Sequence, residues 1–134
     1  MINHKFETLN SKQTQINQAQ NSKPYDLGER TLVFSRKVFN YVKQLTRVIT
    51  NLEVGKQLVR SAGSVGANYI EAEESLSRND FIMRIKIARK EARESRYWLV
   101  LSEPLGAQIR EREELIDEST QLMKIFGSIV SNVR

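Results

Sequence analysis

Three observations predict an all-α fold, an antiparallel up-down-up-down bundle of four helices. Apolar residues recur every three or four positions from Leu27 onward, the spacing of one buried helix face. No segment alternates apolar and polar residues with period two, and no Asn-Gly or Asp-Gly hairpin dipeptide occurs, so strands have no place. The breaks between the periodic segments are short, which favours antiparallel neighbours crossing at roughly 20°. A chain of 134 residues is one domain's worth and buries a core without staples.

The elements follow in order. Residues 1–23 are rich in Asn, Gln, Ser and Lys and hold too few apolar groups to offset the entropy of ordering, so a disordered arm is expected there and the bundle at 24–134. The first helix is predicted over Leu27–Val48, with Leu27, Thr31, Phe34, Val38, Val42 and Leu45 inward. A break is expected near Thr50 and Asn51. The second helix then carries Leu58, Ala62, Val65, Tyr69, Ala72 and Leu76, whose alternating steps of four and three make a heptad seam. Ser77 and Asp80 form an S-x-x-D pattern that caps the third helix. Its stripe is Phe81, Ile85, Ala88, Ala92, Ser95, Leu99 and Ser102, and Pro104 and Gly106 stop it. The fourth is predicted over Gln108–Asn132, with Leu115, Ser119, Leu122, Phe126, Ile129 and Val133 inward. Alanines and serines on the second and third helices predict that those two approach closely.

Composition narrows function. There is no cysteine and a single histidine, His4, which removes thiol catalysis, structural zinc and disulfides. No catalytic constellation is present, so a non-enzymatic protein without metal or cofactor is expected. No run of about eighteen apolar residues occurs, and the leading MINHKFETLNSK is polar, so a cytoplasmic protein with no membrane partner is expected.

The net charge is +5 and is unevenly spread. Residues 26–60 set Arg30, Arg36, Lys37, Lys43, Arg47, Lys56 and Arg60 against Asp26, Glu29 and Glu53. Residues 80–96 are also net basic, whereas Glu103, Glu111, Glu113, Glu114, Asp117 and Glu118 outnumber Arg110 and Arg112. Either the surface is simply mixed and solvated, or its basic part meets an anionic partner.

RSAGSVGANYIEAEE, residues 60–74, invites a phosphate-loop reading. Gly63 and Gly66 match neither a Walker nor a dinucleotide loop, and the GxxG of a KH module would need strands beside it. The heptad runs unbroken through both glycines, so close packing against a neighbouring backbone, with Ala62 and Ala67, is the better account. On a wheel, Gln57, Arg60, Ser64, Asn68 and Glu71 share a polar flank. That flank is either solvated or a buried network across helices or subunits in which Arg60 and Glu71 neutralise each other; the small neighbours favour the network. Glu71, Glu73 and Glu74 do not read as a di-iron site, because the bundle has no histidine to complete Glu-x-x-His pairs.

The third helix shows three faces. With Phe81 at the origin, Lys86, Arg89, Arg93 and Arg96 fall between about 60° and 140°, a basic stripe. This stripe is either internally salt-bridged to Glu91, Glu94 and the acidic start of the fourth helix, or it contacts phosphate, with Tyr97 able to stack on a base. Arg36, Lys37 and Lys43 are second candidates for nucleic-acid contact. Met83, Ile87, Trp98 and Leu101 lie near 200° to 260°, a second apolar stripe that a lone bundle leaves in water. Self-association would cover it, anchored by Trp98, unless Trp98 completes the monomer core.

QLVRSAGSVGANYIEAEES, SRNDFIMRIKIARKEARESRYWLVL and the opening Leu27-Gly-Glu-Arg-Thr31 closely resemble the four-helix bundle proteins encoded in intervening sequences of bacterial 23S rRNA genes, over roughly residues 25–130. The resemblance implies a ring-like homo-oligomer, a homopentamer. A related group, the accessory proteins of diversity-generating retroelements, comprises basic barrels that bind nucleic acid and a reverse transcriptase, which makes RNA, DNA and such a protein the expected partners. It implies no catalytic residues. The function expected is nucleic-acid binding by an oligomeric bundle; the alternative is a protein-interaction scaffold of the same fold with no nucleic-acid ligand.

Overall fold

The computed structural model describes residues 26–133, so the expected arm at 1–23 lies outside the described residues. Four helices follow one another: α1 (Leu27–Gln44), α2 (Ile49–Glu73), α3 (Arg78–Leu101) and α4 (Gln108–Val133). Among the described residues there is no strand. Each helix packs on its neighbour in sequence and α1 closes the bundle against α4, with the α2–α3 seam the most extensive.

Local chemistry sets the helix ends. Asp26 accepts the Glu29 amide at 2.9 Å to cap α1, and Ser77 accepts the Asp80 amide at 3.1 Å to cap α3, as the S-x-x-D pattern predicts. Gly106, at φ 58, turns the chain between α3 and α4, a conformation that strains residues with a Cβ. The first break differs from expectation. α1 stops at Gln44 and residues 45–48 connect, while Thr50 and Asn51 are helical. The Asn51 side chain explains this: it donates to the Thr46 carbonyl at 3.0 Å and the Glu103 carbonyl at 3.2 Å, and accepts the Glu103 amide at 2.9 Å. One buried amide thus ties the α1–α2 and α3–α4 connections together and satisfies backbone groups that those connections leave free.

The core holds Phe34, Val38, Leu58, Val65, Ile85, Leu99, Leu122 and Phe126, all nearly or fully buried. Val42 packs on the core as predicted, and Tyr41 beside it is fully buried as well, its hydroxyl 2.6 Å from Ser102 Oγ. Two predicted positions shift. Val130 is buried in place of the partly exposed Val133. Leu76 ends the heptad on paper but is 99% exposed, since α2 stops at Glu73 and the chain is already turning.

Small residues let α2 and α3 approach. Ala62, Ala88 and Ala92 are fully buried, and Ser61 and Ser95 share a hydrogen bond of 2.9 Å across the seam. Gly66 is needed on the other side of α2: a Cβ there would meet Thr31 Oγ1 of α1 at 3.0 Å. Ser35 Oγ donates to the Ala62 carbonyl at 2.8 Å nearby. Gly63 does not have this role, with only the Phe39 ring at an ordinary 3.8 Å, and Ala67 is exposed.

Candidate nucleic-acid interface

The polar flank of α2 forms a network, with partners other than those its own helix suggests. Arg60 does not pair with Glu71. Its guanidinium bridges Glu91 Oε1, at 3.3 Å, and Glu94 Oε2 on α3. The reason is geometric: Glu71 lies eleven residues away along α2, whereas Glu91 and Glu94 stand across the narrow seam. Glu91 is 7% exposed, so a facing cation offsets the desolvation of its charge. Ser64 donates to the Arg60 carbonyl at 2.9 Å and Asn68 to the Ser64 carbonyl at 2.9 Å, while Asn68 Oδ1 accepts Arg84 Nη1 of α3 at 3.2 Å. The Glu71 side chain is exposed and has no partner among the described residues; only its carbonyl is used, by the Glu74 amide and the Ser75 hydroxyl. Arg84 is a member that the α2 wheel alone could not supply.

Glu94 extends this network outward. Its Oε2 accepts the indole N–H of Trp98 at 3.1 Å, and the Trp98 ring stands edge-on to Tyr97, with centroids 5.0 Å apart and planes at 72°. Burial by itself would raise the Glu94 carboxyl, but the indole and the Arg60 guanidinium, with a smaller pull from Lys90, outweigh it and hold the group below its ordinary range. Hydrogen bonding to Glu94 and then Glu91 raises Arg60 in turn. Trp98 is partly buried and packs against the core, and Ile87 is likewise partly covered, whereas Met83 and Leu101 on the same stripe are exposed.

The opposite flank of α3 is basic and unpaired. Of the two readings of the basic stripe, the salt-bridged one does not form: Glu91 and Glu94 face Arg60, and none of Lys86, Arg89, Arg93 and Arg96 has a carboxylate within ion-pair distance among the described residues. Lys86, Arg93 and Arg96 are exposed. Arg89 is half-buried, with its Nη1 3.5 Å from where a Gly127 Cβ would stand, so it lies over α4. Lys90, which the wheel sector from Lys86 to Arg96 leaves out, is exposed and completes a line Lys86, Lys90, Arg93, Tyr97 in steps of four, three and four. The spacing itself could have shown it. The α4 carboxylates all precede residue 119, and residues 119–133 carry Lys124 and no acid. Arg36, Lys37 and Lys43 are exposed on α1, and α1 packs chiefly on α2 and α4, so the structure does not bring them beside the α3 stripe.

Residues 24–132 match the family described as 23S rRNA-intervening sequence protein. The chain belongs to that family. Among solved structures, a protein of unknown function from the S23 ribosomal protein family of Bacteroides thetaiotaomicron VPI-5482 is similar, with 33% identity over 77% of this chain and 96% of that one and a TM-score of 0.65. No curated protein matches. Among the described residues of this intervening-sequence protein, no group of three or more acidic or His side chains is placed to hold a metal ion, and no helix is long and apolar enough to cross a membrane.

Proposed function

We propose that this protein is a non-enzymatic, cytoplasmic nucleic-acid-binding bundle that works as a ring-like homo-oligomer and holds RNA or DNA by charge on the outer face of α3. The observation that carries this reading is the exposed row Lys86, Lys90, Arg93 and Arg96, none of which has a salt-bridge partner among the described residues, Lys90 alone acting at longer range on Glu94. Cations without a salt bridge of their own remain available to phosphate, and arginine can bridge two phosphate oxygens. An antiparallel course is supported by α2–α3 contacts that run in opposite senses along the chain: Asn51 with Glu103, Ser61 with Ser95, Asn68 with Arg84. Self-association, to a pentamer as the resemblance implies, would cover Met83, Ile87, Trp98 and Leu101. It would also repeat the basic row around the ring, so that modest patches act together.

Replacing Lys86, Lys90, Arg93 and Arg96 together by Gln should reduce the slope of log affinity against log salt by about three units, with helicity and mass in light scattering unchanged. An unaltered slope would move the site elsewhere. Trp98→Ala should lower the oligomer mass, and an unchanged mass would assign that ring to its own bundle.

A second reading, a protein-interaction scaffold, is favoured by one feature. Val48, Ile49, Leu101, Leu105 and Ile109 are exposed at the end of the bundle where Asn51 joins the two connections. A salt-insensitive protein complex without nucleic acid would support it.

A further inference from the structure

The geometry points to Tyr97 as a stacking platform for an unpaired base, which makes the ligand of the α3 face a single strand rather than a duplex; this rests on the nucleic-acid reading above. Tyr97 is 57% exposed, and an aromatic ring held in water needs something to hold it. Here a continuous chain of contacts does so. Arg60 on α2 fixes Glu94, Glu94 accepts the Trp98 indole N–H at 3.1 Å, and the Trp98 ring braces Tyr97 edge-on at 5.0 Å. Trp98 is itself packed on the core, so the outer ring is positioned from inside the bundle. The loss of side-chain freedom that stacking ordinarily demands is thereby partly met before any ligand arrives.

The cations stand where a strand's backbone would run. Tyr97 follows Arg93 by one helical turn, and Lys90 and Lys86 continue the same exposed line, covering about 16 Å at 1.5 Å per residue. A ring at one end and three exposed cations outside any salt bridge along the rest is the combination that single-strand binders use, a π-face for a base and positive charge for its backbone. A duplex can use the cations but not the ring, because its base faces are already stacked and only their edges are displayed. The network predicted from sequence as purely architectural thus also sets the position of a ligand-facing side chain.

The test measures binding of the full chain to oligouridylate, to oligothymidylate and to a thymidylate–adenylate duplex at low and moderate salt. Tyr97→Ala should weaken binding to the single strands by roughly 5- to 150-fold and leave the duplex unaffected, while Tyr97→Phe, which keeps the π-face, should stay within about twofold of the parent. Similar loss with both single strands supports stacking alone, and a larger loss with oligouridylate supports stacking with a ribose contact. Equal weakening of single strand and duplex, no weakening with Tyr97→Ala, or a drop in oligomer mass for that variant would each overturn the inference. Binding of the duplex alone would overturn it while leaving the nucleic-acid reading intact, and binding of no probe at low salt would remove both.

Discussion

The two flanks of α3 carry charges of similar density and use them in opposite ways. Toward α2, Arg84, Glu91 and Glu94 are matched by Asn68 and Arg60 across a seam of alanine and serine. Toward solvent and α4, Lys86, Lys90, Arg93 and Arg96 have no salt-bridge partner among the described residues, although Lys90 acts at longer range on Glu94. Both acids of the central α3 are engaged by one arginine of α2, and Lys86, Arg89, Arg93 and Arg96 have no acid three or four residues away on their own helix. Architecture occupies one side, and the proposed recognition would use the other. If this division is right, changes on the inner flank should alter stability and changes on the outer flank should alter binding.

The largest effect expected is on the common core. Leu99 is fully buried where α3 meets the rest of the bundle, and Leu99→Ala should destabilise by about 2–5 kcal/mol in urea unfolding, whereas a double Lys90→Gln, Arg93→Gln variant should stay within about 0.5 kcal/mol of the parent. Comparable losses in the two would erase the distinction between flanks. On the inner flank itself, Arg60→Met leaves Glu91 in a buried position without its cation. Because Arg60 is half-exposed the expected loss is about 1–2 kcal/mol, and a Glu91→Gln partner change should recover part of it in a double-mutant cycle.

Acid should find the same flank. The Glu94 carboxyl is held below its ordinary range when folded, so on acidification the unfolded chain takes up that proton first. Stability from this group is complete above the unfolded value and is lost as pH falls through the lower folded one. Urea midpoints measured between about pH 5 and pH 2 should therefore fall less steeply in Glu94→Gln than in the parent; parallel curves would detach Glu94 from the network. The smallest effect belongs to the buried serine pair. Ser61→Ala together with Ser95→Ala removes both hydroxyls at once and should change stability by about 0.5 kcal/mol or less, while Ser61→Leu, which forces the seam apart, should destabilise by about 1–3 kcal/mol.

Much of this fold was legible because helical periodicity is a local property. The stripe from Ile85 to Ser102 is buried as spaced, and Ser77 caps α3 as its pattern requires. Where periodicity failed, a specific contact had intervened. Tyr41 joins Val42 in the core because Ser102 meets its hydroxyl, and Asn51 sits inside α2 because it serves two connections at once. Gly66 was rightly assigned to packing, whereas Gly63 beside it has no close neighbour that requires it. The basic row was visible as a wheel sector, but its membership was not. Arg89 turns out to lie over Gly127, and Lys90 to be exposed, because the placement of α4 decides which part of an arc faces water.

By itself, the sequence determined the number of helices, most of their inward faces, the Ser77 cap and the separation of basic from acidic stretches. Each of these depends on residues within a few turns of one another, where spacing along the chain is spacing in space. Partnership was decided only by the tertiary structure. Arg60 had a plausible mate in Glu71 on its own flank, and packing gave it Glu91 and Glu94 instead. Which charges pair depends on which helices touch and how closely, and those distances are set by the small side chains between α2 and α3 rather than by the charges themselves.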